Sequence, residues 1–152
     1  MTDAVSTPSS SDDPARPCGP VTGTTEGVIF FCHGSRDPRW RAPFEQILQA
    51  FRAHYPGVPA ELAFLELMTP VLGDAIDDLV GRGCRHLRVI PLLLAPGAHS
   101  RVDLPALMVA ARERWPQLDI AAASTMSESP ALREAIVEWA AGELGSFRKQ
   151  RD

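Results

Sequence analysis

An α/β fold, a four-stranded parallel sheet with helices on both faces, is what this chain predicts, and three observations carry the prediction. Short, almost wholly apolar runs alternate four times with stretches whose apolar residues recur at helical spacing, the pattern of strands joined by right-handed helical crossovers. The runs show little polar alternation, as strands covered on both faces require. The first and third runs, 28–32 and 89–94, each lead into a histidine followed by a serine, an arginine, an aspartate and a proline that opens a helical pattern. At 152 residues the chain is long enough for one domain with one substantial core.

Taken in order, residues 1–26 are rich in Ser, Thr, Pro, Asp and Gly and nearly devoid of large apolar side chains, which predicts a disordered tail, with Cys18 incidental to it. The folded domain is expected over 27–145. Its first strand is 27–32, β-branched and aromatic. A helix should open at Asp37-Pro38, an N-cap acceptor followed by a first-turn proline. It continues through Phe44, Ile47, Leu48, Phe51 and Tyr55 to a stop at Pro56-Gly57. His54, in the last turn, suits a helix C-terminus.

The second strand begins at Val58 or Ala60, reaches Leu65 and finishes at Glu66. The second helix, 70–82, has Leu72, Ile76, Leu79 and Val80 on one face and is closed by Gly81 and Gly83. His86 precedes the third strand, 87–94, at the edge opposite the two motif histidines, so it reads as a surface residue. Pro91 lacks a ladder donor and predicts a bulge or break there. The third helix, 104–115, stacks Leu107, Met108, Ala111 and Trp115 before Pro116 stops it, and the fourth strand is 118–123. A last helix, from 130 to about 144, should bury Leu132, Ile136, Trp139 and Ala140, leaving 146–152 as a frayed tail.

A net charge of -4 with 22% charged residues provides no basic field for nucleic acid or an anionic membrane surface. Fourteen arginines stand against one lysine, Lys149. That bias fits carboxylate binding by the planar guanidinium and equally fits GC-rich coding. Cys18, Cys32 and Cys84 are odd in number and lack C-x-x-C spacing, which argues against a disulfide framework or a thiolate zinc site and suits a reducing cytosol. No apolar stretch approaches the ~20 residues of a membrane span, and the N-terminus lacks a secretory pattern. A cytoplasmic location is therefore expected.

In the flavodoxin-like strand order 2-1-3-4, the first and third strands are neighbours and the chain reverses direction between them. That switch point is where open α/β sheets bind ligands, and it would be flanked by His33 and His99. Alone, either histidine is as readily a residue bonded to nearby backbone; together, at matching positions with matching downstream residues, they define a candidate site. Two imidazoles without thiolates suit an exchangeable divalent iron, cobalt, nickel or zinc ion. Glu66 ends the second strand at the same edge and could supply a third, oxygen ligand. Asp37 and Asp103 could orient the histidines, but both sit where a helix cap belongs. No nucleophile elbow, phosphate loop or dinucleotide fingerprint is present. Ser35 and Ser100 lack an indicated base geometry, and glycine follows His33 where a histidine phosphatase would want arginine.

The motifs His33-Gly-Ser-Arg-Asp-Pro38, Phe64-Leu-Glu66 with Pro70, and Gly97-Ala-His99 with Asp103-Leu-Pro105 resemble those of the class II tetrapyrrole chelatases, specifically the short sirohydrochlorin cobaltochelatases and ferrochelatases. The resemblance covers about residues 28–140. It implies a chelatase-like half domain, a lyase inserting Co2+, or Fe2+ or Ni2+, into sirohydrochlorin on the way to cobalamin or sirohaem. It further implies His33 and His99 as catalytic residues and metal ligands, Glu66 as a less secure ligand, no cofactor beyond the substrate metal, and a homodimer standing in for the two-domain relatives. Arg36 and Arg101, beside the histidines, are candidate clamps for the substrate's carboxylates. Cys32 replaces a usual glycine, Pro96-Gly97-Ala98 replaces a more glycine-rich lead, and the N-terminal extension is foreign to the pattern. The competing function is a non-catalytic divalent-metal-binding or delivery module using the same two histidines.

Overall fold

The computed structural model describes residues 25–94, 97 and 102–150, so the expected tail, apart from its last two residues, lies outside the described residues. The strands are β1 (Glu26–Cys32), β2 (Ala60–Phe64), β3 (His86–Pro91) and β4 (Asp119–Ala122), and the helices are α1 (Ala42–His54), α2 (Leu72–Gly81), α3 (Leu104–Arg114) and α4 (Pro130–Lys149). They form one four-stranded sheet of order β2-β1-β3-β4. Every pairing is parallel, with Cys32 opposite Phe64 and Phe31 opposite Pro91 at the C-terminal edge. This is the flavodoxin-like order 2-1-3-4 expected from the sequence.

Side chains alternate between the two faces of each strand, and each face has its own core. On one side Ile29, Phe31, Leu87, Val89 and Ile120 pack with Leu72, Ile76 and Leu79 of α2 and Leu104 and Met108 of α3. On the other Phe30, Cys32, Ala60, Leu62 and Phe64 pack with Leu48 of α1, with Phe44 and Phe51 alongside; the Phe30 and Phe51 rings meet edge to face at 5.4 Å. Each fully buried large apolar side chain contributes roughly 1.5–3 kcal/mol. Together the two cores fix the register that brings the strand ends level.

The first helical segment divides in two: a 3-10 turn at Pro38–Arg41, capped by the Asp37 side chain, precedes α1. Pro43, lacking an N–H, then sits in the first turn of α1, where that donor has no intrahelical partner to lose. β3 stops at Pro91 where the sequence pattern extended it to Leu94. Proline removes the next ladder donor, although the Leu92 N–H still reaches the Phe31 carbonyl at 2.8 Å.

The last helix departs furthest from expectation. It continues to Lys149, so 146–149 are helical and not frayed; Arg148 and Lys149 in its final turn complement the dipole. None of its residues is buried, and Leu132, Ile136, Trp139 and Ala140 face solvent and not the core. The 3-10 turn at Met126–Glu128 is fastened to the end of β3 through Met126 N–H to the Leu93 carbonyl (3.1 Å) and Ser127 N–H to the Leu94 carbonyl (2.9 Å). α4 leaves the body from there. Among the described residues no helix is long and apolar enough to cross a membrane.

Candidate functional site

The site is the C-terminal edge of the sheet where β1 lies between β2 and β3. Parallel pairing continues beyond the strands themselves: Leu65 N–H donates to the Cys32 carbonyl at 2.8 Å and Glu66 N–H to the His33 carbonyl at 3.2 Å. These bonds set His33 and Glu66 side by side. Just after them, Gly34 takes φ +97°, and its Cα lies against the Glu66 carbonyl. Leu67, a half-exposed non-glycine residue at φ 63°, turns the chain away from Glu66 on the other side. That strained backbone was not legible in the sequence, since leucine is no turn former.

The His33 Nδ1 lies 3.8 Å from the Glu66 Oε1, an ion-pair distance too long for a direct hydrogen bond. Their side chains are 40% and 49% exposed, open to a ligand yet partly held. The same Nδ1 is 3.3 Å from the Gly34 carbonyl oxygen. A proton on Nδ1 suits both oxygens and leaves the lone pair of the neutral ring on Nε2, the atom that binds a metal or accepts a proton.

Nearby groups are committed elsewhere. The Asp37 carboxylate accepts from the Arg39 N–H at 2.9 Å and from its guanidinium at 2.7 Å, and these bonds hold its carboxyl below the usual value. Asp37 is thus a cap, not a histidine-orienting group. Asp103 is not a side-chain cap, since it precedes α3 in helical conformation without a cap bond. The Ser35 hydroxyl accepts from Asp37 N–H at 3.1 Å and turns the loop. Cys32 is fully buried on the α1 side, and burial pushes its thiol from 9.0 up to about 12, so it offers no thiolate at neutral pH. Arg36 is exposed and makes no ion pair among the described residues. Beyond it Asp37, Arg39, Trp40, Pro43 and Phe44 line a cleft of about 440 Å³.

Of the predicted site residues, His33 and Glu66 are brought together; His99, Ser100 and Arg101 lie outside the described residues. β3, whose end leads toward them, lies directly beside β1. Among the described residues no group of three metal-ligating side chains converges, so the site as described has two donors. His54 and His86 stand apart from it, His54 Nδ1 at 2.8 Å from the Ala50 carbonyl in α1 and His86 at 3.1 Å from Asp119 at the opposite edge.

The CbiX family profile matches residues 27–142. The sirohydrochlorin ferrochelatase of Bacillus subtilis is 30% identical over 95 residues, 62% of this chain and 36% of that protein. The sirohydrochlorin cobaltochelatase of Saccharolobus solfataricus is 34% identical over 82 residues, 54% of this chain and 62% of that protein. The matched segment therefore spans less than two thirds of either relative. Among crystal structures, the CbiX protein of Marinobacter aquaeolei VT8 superposes with a TM-score of 0.69 at 30% identity, covering 80% of this chain and 98% of that one. The cobalt complex of the sirohydrochlorin chelatase SirB from Bacillus subtilis subspecies spizizenii gives 0.62 at 29% identity, covering 66% and 43%.

Proposed function

The chain belongs to the CbiX family, and from that premise we propose that it is a sirohydrochlorin chelatase, a lyase that inserts a divalent metal, Co2+ before Fe2+ or Ni2+, on a route to cobalamin or sirohaem. The observation that carries the reading is the pairing of His33 and Glu66 at the switch-point edge of the sheet. Metal insertion has to remove two protons from pyrrole nitrogens while a dication arrives, and each task needs a base that can exchange its load. An imidazole meets that need, because it titrates near neutrality and binds borderline metals without the permanence of thiolate.

With its proton on Nδ1 facing the Gly34 and Glu66 oxygens, the neutral His33 ring keeps its lone pair on Nε2. A proton received there makes an imidazolium whose Nδ1 lies 3.8 Å from the Glu66 carboxylate. The metal, as substrate, would be held by His33, His99 and Glu66, and Arg36 and Arg101 would clamp substrate carboxylates. No further cofactor is required. A flat tetrapyrrole ~10 Å across needs more than the single wall one such sheet edge offers, given that ligand sites bury most of their ligand. We therefore assign the active form as a cytoplasmic homodimer with two edges facing one cleft.

Ultraviolet-visible titration with sirohydrochlorin and Co2+ tests the reading. A chelatase accelerates the spectral change beyond the spontaneous rate. A rate equal to that of the protein-free mixture, with metal still bound, would instead make the chain a metal-delivery module.

A further inference from the structure

Leu67 stands against two preferences of leucine. Its φ is 63°, which makes it the non-glycine residue with positive φ among the described residues, and it is 56% exposed, so burial does not offset the strain. A single exposed leucine is unremarkable on a protein surface, and a left-handed position normally falls to glycine or asparagine. An exposed, left-handed leucine serves neither the backbone nor the core. The place is nevertheless held firmly. The Phe64 N–H donates to the Pro70 carbonyl at 2.9 Å and Phe64 bridges to Val71, which closes the loop between them, and the Arg41 guanidinium reaches the Thr69 carbonyl at 2.5 Å. Leu67 is thus fixed immediately after Glu66, whose carboxylate lies 3.8 Å from His33 Nδ1. A second exposed leucine occupies the corresponding place past the other neighbour of β1. Leu67 is the third residue beyond Phe64, the end of β2, and Leu94, 64% exposed, is the third beyond Pro91, the end of β3. The Leu94 carbonyl is anchored by the Ser127 N–H at 2.9 Å. β2 and β3 flank β1, whose end leads into His33, and at ~4.8 Å per strand spacing they stand about 10 Å apart.

We propose that Leu67 and Leu94 are apolar contacts for the macrocycle, one on each side of the His33–Glu66 pair. A tetrapyrrole is a disc ~10 Å across with carboxylates at its rim and apolar ring faces, and a site that buries such a ligand needs apolar surface beside its charged clamps. The spacing of the two flanking strands matches the width of that disc. Leucine adds this surface without a polar group that would compete for the metal. The ring faces carry the same apolar surface before and during insertion, so the contact strengthens binding of the ring throughout and does not act on the proton transfers. This role rests on the chelatase reading and concerns how the ring is held, not which metal enters it.

Leu67→Asn and Leu67→Gly in the full chain provide the test, because both replacements adopt the left-handed conformation more readily than leucine. Each is expected to melt at or above the wild-type temperature and to raise the KM for sirohydrochlorin about tenfold, with kcat little changed, as removal of uniform binding requires. Co2+ affinity measured without the macrocycle should stay at the wild-type value. Leu67→Met, an apolar chain of similar reach, is expected to recover most of the KM, and Leu94→Asn to raise it as Leu67→Asn does. Wild-type KM in Leu67→Asn and Leu67→Gly, in a chain that does insert metal, would overturn this role and leave the chelatase reading standing. A fall in Co2+ affinity in step with the rise in KM would overturn it as well, because the substitution would then act through Glu66. Wild-type KM in Leu94→Asn alone would remove Leu94 from the pair. A wild-type chain no faster than the protein-free mixture would overturn the chelatase reading and the ring contacts together.

Discussion

The Glu66 carbonyl oxygen rests against the Cα of Gly34 so closely that a Cβ there would lie 1.9 Å from it. With φ at +97° as well, no L side chain fits this position without displacing the β2 end. The contact holds His33 and Glu66 level. Gly34→Ala is therefore expected to cost about 2–4 kcal/mol in urea denaturation, while Gly73→Ala, in open space on α2, should cost nothing and gain up to about 1 kcal/mol. Equal stability of the two variants would show that the close approach relaxes freely.

Cys32 predicts the alkaline limb of stability. Burial raises its folded pKa from 9.0 to about 12, so between those values the unfolded chain releases a proton that the folded chain keeps. The contribution is fully present below pH 9 and is lost as pH rises, at about 1.4 kcal/mol per unit. Urea titrations from pH 7 to 10.5 should show a shallower decline in Cys32→Ala than in the wild type; parallel curves would mean that the thiol ionises in place.

The described residues begin at Thr25, whose carbonyl accepts from Arg85 N–H at 2.6 Å and His86 N–H at 3.1 Å. Deleting residues 1–24 should leave the melting temperature and rate unchanged, because that stretch has little to bury. Extending the deletion through Glu26 removes those acceptors and the first β1 residue, and should cost about 1–3 kcal/mol. A loss of rate on the shorter deletion would mean that the tail acts at the site.

The four strands and the placing of His33 and Glu66 at strand ends were legible because apolar runs and their flanking breakers are local signals, and the order of the sheet followed from taking the β-α alternation as flavodoxin-like. What was not legible depended on contacts between elements. Leu132, Ile136 and Trp139 have the spacing of a buried helix face, and periodicity reports that a stripe wants cover without saying which surface supplies it. The left-handed Leu67 is set by the geometry of the chain leaving Glu66, not by its own preference. Asp37 and Asp103 occupy equivalent positions in the sequence, yet only the first caps.

If the His33–Glu66 pair is the working centre, the two side chains should differ in effect. Removing the imidazole deletes a base and ligand outright, whereas Glu66→Gln keeps the shape and removes only the charge. His99→Ala should match His33→Ala, each lowering insertion at least ~10²-fold, with Glu66→Gln closer to tenfold and all three circular dichroism spectra unchanged. A Glu66→Gln rate equal to wild type would remove the carboxylate from the mechanism.

The most direct measurement is the initial rate of Co2+ insertion into excess sirohydrochlorin, followed by absorbance, for wild type and for folded His33→Ala against the protein-free mixture. Many turnovers per wild-type chain, with His33→Ala falling to near the spontaneous rate, are the expected result. A folded His33→Ala protein turning over at the wild-type rate would contradict the assignment of this sheet edge as the site of metal insertion.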